Sequence, residues 1–296
     1  MPVTGRRGSS TRLGYFGEDS LIRTVHRERL MALAGPRALL MQAAHPLAVV
    51  GLLSHTSALE RPYERLARTA VAINTITFGT RAEADAVGRH IRAMHRRVSG
   101  RLAEPVGAYA AGTPYRADDP ELLLWVLFTL VDSAAVVYST YVRPLEEPER
   151  AALWQDYRVL GGLFGLAQGQ MPATLAELEV YRRRMLGGEE LHVTDWARRR
   201  AREIVLSPPV PVLARPALEA ANFITIALLP DPIRRQYGFF PLPPVLMRRL
   251  IVASGASYFR HALLPLLPDS LRLARVGRRA ASPARAPRPA PALAAS

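Results

Sequence analysis

The stretch from Glu121 to Val142, ELLLWVLFTLVDSAAVVYSTYV, constrains the fold more than any other part of the chain. It is apolar on nearly every side and approaches the length of a membrane span, so it must be enclosed by lipid or by protein. Asp132 decides between the two. A central aspartate costs about 3 kcal/mol on insertion into a bilayer, whereas a helical bundle can pair it with a cation. The segment is therefore expected to be the buried central helix of a bundle, capped by Asp119. Asp132 itself has two readings: a structural partner for one of the many arginines, or an acceptor for the second ring nitrogen of a ligand histidine.

The rest of the chain supplies helices to surround it. Residues 20–34 read as an amphipathic helix with His26 on its surface, stopped by Gly35 before Pro36 opens the next. That next helix, PRALLMQAAHPLAVVGLLSHT, is apolar apart from Gln42, His45 and His55, and Pro46 should kink it or end it just after His45. Further helices are expected over 61–78, 81–99, 147–166, 174–187, 195–205, 216–229 and 243–264, with 104–120 as a loop. No segment alternates as a strand would, and no repeat appears. The expectation is an all-α fold: one globular multi-helix domain over 20–268, an N-terminal arm over 1–19, and an Arg/Pro/Ala-rich tail over 269–296, disordered from Ala280 on. The opening residues lack the apolar core of a signal peptide, which gives the cytoplasm as the expected address.

Composition removes whole reaction classes. The chain has no cysteine, and all 39 of its basic residues are arginine. Thiolate nucleophiles, iron–sulfur clusters and Cys-ligated zinc are excluded, as are Schiff-base and P-loop lysines. Histidine, carboxylate and arginine remain for binding a cofactor. The net charge of +14 speaks to solubility and non-specific contacts, and no familiar nucleic-acid motif accompanies it.

One region holds a constellation fit for specific chemistry, RPYERLARTAVAINTITFGTRAEADAVGRHIRAMHRRVSG, from Arg61 to Gly100. Arg65 and Thr69 are four apart and share a helix face, with Arg68 on its flank. His90 and His95 are five apart, about 140° around the helix axis, and cannot ligate one metal from the same face. Gly88, seven residues before His95, lies on the His95 face. It either leaves room for a flat group or is a glycine the helix tolerates. His45, beside the Pro46 interruption, is either a satisfied core residue or part of a lined cavity.

Several phrases taken together, GPRALLMQAAHP, RLARTA, ITFGT followed by HRRVSG, YRADDPELLLWVLFTLVDS and LLPDPIRRQYG, resemble the rubber oxygenase and MpaB-type oxygenase family in the same order over about residues 20–265. The resemblance implies an all-helical protein that binds haem b and uses dioxygen on an apolar, unsaturated isoprenoid or lipid-like substrate. It implies His95 as the proximal iron ligand, Arg65 and Thr69 as polar distal residues, and His45 near the haem. An electron donor for the iron is implied as well.

Two departures separate this chain from the latex-clearing proteins it resembles. Those have a lysine where Arg68 stands, and a guanidinium stays protonated and cannot ligate iron in the lysine's manner. They also carry a glutamate on the preceding helix, where LAVVGLLSH has no carboxylate. Two other classes remain open at this stage: a haem-binding protein without turnover, and an apo helical module that binds anionic surfaces through arginine. Substrate identity and oligomeric state are not encoded in these motifs.

Overall fold

Asp119 starts the central helix, accepting hydrogen bonds from Glu121 N at 2.9 Å and Leu122 N at 3.4 Å, with Pro120 at the first helical position. The structure, a computed structural model, describes residues 14–54, 62–201, 215–239, 254–264 and 268–273. Its helices are α1 (Leu21–His26), α2 (Ala34–Gln42), α3 (Pro46–Ser54), α4 (Pro62–Phe78), α5 (Arg81–His95), α6 (Pro120–Tyr141), α7 (Glu147–Phe164), α8 (Leu175–Gly187), α9 (Asp195–Arg200), α10 (Arg215–Ala227) and α11 (Asp231–Tyr237). A helical segment over 254–263, α12, ends in a π-helical turn, and α13 covers Asp269–Arg272.

The central helix is α6. By length and composition it would cross a membrane, yet 72% of its most apolar window is buried within the fold. Helix α2 lies against it most extensively, α7 flanks it, and α1 and α5 pack on α7. Trp125, Leu127 and Phe128 of α6 meet Leu153, Trp154, Tyr157 and Leu160 of α7 in one core, all essentially without solvent exposure. Each such side chain contributes about 1.5–3 kcal/mol by leaving water. The buried Trp154 indole donates to Pro172 O at 3.0 Å, so its polar edge is satisfied.

Two expectations are corrected. The helix expected over 20–34 is broken: α1 ends at His26, Glu28 is extended, a 3-10 turn covers Arg29–Leu33, and α2 then runs through Gly35 and Pro36. Proline is accepted there because the first turn of a helix has no partner for its N–H groups. The break places the Glu28 carboxylate, 2% exposed, against the Arg272 guanidinium, which donates from Nη2 at 2.7 Å and from Nε at 3.0 Å. His26 is turned inward rather than lying on the surface, with Nε2 at 2.8 Å from the hydroxyl of fully buried Tyr157. Burial pushes this imidazole down to about 4.

Second, the fold contains a small antiparallel ribbon, β1 (Ser99–Arg101) with β2 (Pro114–Arg116), in register Gly100 to Tyr115. Three-residue strands are too short to show a period of two. Packing among the described residues also reaches past both ends of 20–268. Phe16 is buried in the core, and α13 closes on the 3-10 turn through Arg272. The tail expected to be disordered from Ala280 lies outside the described residues.

Candidate functional site

Helices α4 and α5 form a hairpin joined by Gly79 and Thr80. A reciprocal capping box fixes the turn: Thr80 Oγ1 accepts from Glu83 N at 3.3 Å, and Glu83 Oε2 accepts from Thr80 N at 2.8 Å. Ile73, Ile76 and Phe78 bury the turn end of α4. In its middle α4 stands clear of the core, since Ala67, Arg68, Thr69, Ala70 and Val71 are all exposed, and five consecutive helical residues span the whole circumference.

Counted at about 1.5 Å per residue from the turn, Arg65 lies roughly 20 Å along α4, Thr69 roughly 14 Å, and His95 roughly 21 Å along α5. Arg65 on one arm and His95 on the other therefore lie at similar heights above the turn, with Arg68 and Thr69 near the middle of α4 and Thr69 about 7 Å nearer the turn than His95. The Arg65 side chain lies outside the described residues; its backbone belongs to α4. His95 is half-buried at the last position of α5, with Nδ1 shielded from solvent. Val71 and Met94 are apolar yet 64% and 49% exposed, one on each arm. His90 is exposed.

The ribbon begins directly after His95. Ala117 N donates to Val98 O at 2.9 Å, which brings the segment after β2 back to the end of α5. Arg116 there donates from Nε to Asp118 Oδ1 at 2.9 Å. This bond holds the Asp118 carboxyl below its usual range, with a smaller contribution from nearby His95. Neither Arg116 nor Asp118 was a sequence candidate, because PYRADDP reads as a loop leading to a helix cap.

His45 sits in the turn between α2 and α3 and is 5% exposed. Its Nε2 lies 3.4 Å from the Tyr109 hydroxyl, and its Nδ1 has no hydrogen-bond partner among the described residues. It faces a pocket of about 360 Å³ shared with Tyr109, Tyr115, Glu121, Met185 and Glu190. No local signal marks Tyr109, which is 64 residues away in sequence. Burial pushes the His45 imidazole down to about 4 against the pull of Glu190 and Asp119. The unfolded chain, with a histidine near 6.5, therefore binds the extra proton between about pH 6.5 and 4. The contribution of His45 to stability is complete above that window and is lost as the pH falls through it. Urea midpoints are expected to drop between pH 7 and 4.5, and to drop less steeply in His45→Gln.

Gly88 does not leave open space beside His95. A Cβ at this position would stand 2.8 Å from the Leu163 carbonyl oxygen of α7, and Arg92 donates to the same oxygen. The glycine serves helix–helix approach, which corrects the reading of room for a flat group. In Gly88→Ala the clash costs about 1–3 kcal/mol, more than the ~1 kcal/mol gained in helix propensity. A net loss in the thermal unfolding midpoint is the expected result. Asp132 is likewise engaged elsewhere: its Oδ2 accepts from Arg37 Nη2 at 2.7 Å and its Oδ1 faces Arg182 at 3.9 Å. It lies about 20 Å along α6 from Asp118, beside which His95 sits.

Among the described residues no three His, Cys, Asp or Glu side chains converge as a protein-only metal site would require. A haem iron needs fewer, because the macrocycle supplies the equatorial nitrogens and the protein an axial one. An imidazole at the end of α5, with polar and apolar residues exposed on the neighbouring arm, is a donor set compatible with that demand.

The family model for the ER-bound oxygenase mpaB/B'/rubber oxygenase catalytic domain matches residues 22–261. The chain belongs to this family. The match takes in α1 to α11 and both arms of the hairpin, and it stops short of α13. Among relatives of this oxygenase-family domain, the uncharacterized proteins Mb2261 of Mycobacterium bovis and Rv2237 of Mycobacterium tuberculosis are each 27% identical over 160 residues. Each alignment covers 51% of this chain and 58% of the relative, so the chain spans little more than half the length of these curated relatives. No solved structure matches the chain.

Proposed function

We propose that this oxygenase-family domain is a haem-b-dependent oxygenase acting on an apolar, unsaturated isoprenoid or lipid-like molecule, with His95 as the proximal iron ligand. The observation that supports the reading is the hairpin: Arg65 on α4 and His95 on α5 lie at similar heights above its turn, with Thr69 about 7 Å nearer to it. Haem b seated there would supply an iron that binds and activates dioxygen.

The chain's own residues have separate tasks. His95 would hold the iron through a ring nitrogen. Thr69, with Arg65 one turn before it, would donate hydrogen bonds to developing negative charge. The Arg68 guanidinium would serve as a fixed positive charge and not as a ligand. Exposed Ala67, Ala70 and Val71 give the same helix an apolar surface for the prosthetic group and substrate. An electron donor would keep the iron ferrous, and the cytoplasm remains the proposed location.

The test is spectroscopic. Full-length protein given haemin is expected to show a Soret band that survives dialysis, and its reduced form to react with both carbon monoxide and dioxygen. A protein that takes up no haemin would overturn the haem assignment. One that binds haem but is inert to both gases would be a carrier and not an oxygenase.

A further inference from the structure

We propose that a second site, in the cleft bounded by α6, α8, α12 and the end of α10, binds an amphipathic carboxylate, with Arg182 and Arg260 taking its head group. The cleft has a volume of about 680 Å³, within the range of small-molecule sites. It lies beside Asp132, about 20 Å along the axis of α6 from Asp118 near His95, and the proposal stands apart from the haem reading.

The charges around the cleft do not cancel. Asp132 is held by buried Arg37 at 2.7 Å, and Asp231 by buried Arg234 at 2.7 Å. Arg182 reaches only carboxylates that are already engaged: Asp132 at 3.9 Å, and Glu179 at 3.7 Å, which Arg150 holds at 2.6 Å. Arg260 makes no ion pair among the described residues, and its Nε is buried without a hydrogen-bond partner. A buried donor left unmade is costly, and among the described residues the cleft thus presents one guanidinium, Arg260, without an anion and a second, Arg182, held by carboxylates only at 3.7–3.9 Å.

The remaining wall selects the rest of the ligand. Val136, Leu186, Leu228 and Ala256 line the same cleft with apolar surface. A carboxylate is an acceptor-only group whose two oxygens match the donor fork of a guanidinium. A hydrocarbon chain attached to it would cover the apolar wall. Neither an alcohol nor an amine of equal length satisfies both halves.

Calorimetric titration of the full-length protein with decanoate, kept below its micelle concentration, tests the idea. One saturable site is expected, with decanol and decylammonium at least ~10-fold weaker, since a hydrogen bond to a charged group contributes about 1.5–3 kcal/mol. Arg260→Met and Arg182→Met, which keep the bulk of the stem, should each weaken decanoate by about 10-fold or more. The Arg182 side chain is 42% exposed, so its variant reports binding without disturbing the core. Decanol binding as tightly as decanoate, unchanged affinity in both variants, or no saturable binding would each overturn the proposal.

Discussion

Replacing Arg37 with alanine is expected to destabilise the protein by about 3–5 kcal/mol, the cost of leaving a buried charge without its partner. Arg37 is 2% exposed and fully engaged, donating to Leu228 O at 3.0 Å, Ser133 Oγ at 2.8 Å and Asp132 Oδ2 at 2.7 Å. One side chain thus ties α2, the middle of α6 and the end of α10 together. In the variant the Asp132 carboxylate, whose side chain is 15% exposed, keeps little solvent and loses its close cation. The double variant Arg37→Met with Asp132→Leu should recover much of the loss, because removing both members of a buried pair is often neutral. Urea midpoints of the two variants read the difference. Equal loss in both would mean that packing, not charge pairing, sets the role of Arg37.

His95→Ala is expected to abolish the Soret band. Losing the proposed protein ligand should exceed the roughly 10–100-fold that loss of an outer-shell partner costs in metal affinity. His90→Ala should leave the band unchanged, since His90 is exposed and about 140° away around α5. Added imidazole should restore the band in His95→Ala by filling the vacated position, an effect that a merely structural histidine would not give. A band of full intensity in His95→Ala without imidazole would remove His95 from the proposal.

The parts of the fold that were legible in the sequence are those written in short-range signals. Asp119 followed by Pro120 announces α6, and Gly79–Thr80 with Glu83 three residues on announces the α4–α5 turn. The Asp132 pairing was half legible: an aspartate in an apolar helix requires a partner, and arginine was one of two readings. Which arginine depends on a contact 95 residues away. Gly88 was left between two readings for a related reason, since the backbone it touches, at Leu163, belongs to a helix that its own periodicity says nothing about. For His26 on Tyr157 long-range packing overrode a local reading, and for His45 beside its pocket the partner Tyr109 carries no local signal. At the candidate site, spacing put the polar residues on one helix and the histidine on the next. The hairpin added the similar heights of Arg65 and His95, and the ribbon added Arg116 and Asp118, which carry no motif.

Glu28 and Leu273 form an antiparallel bridge, and Arg29 Nε donates to Leu273 O at 3.0 Å, so residues at opposite extremes of the described chain are neighbours. That clasp makes the last described helix a structural part of the domain and not an appendage. An expression boundary drawn where the family match ends, at residue 261, would remove Arg272 and strand the Glu28 carboxylate in the interior, so a protein cut there should unfold at lower urea than one that keeps α13.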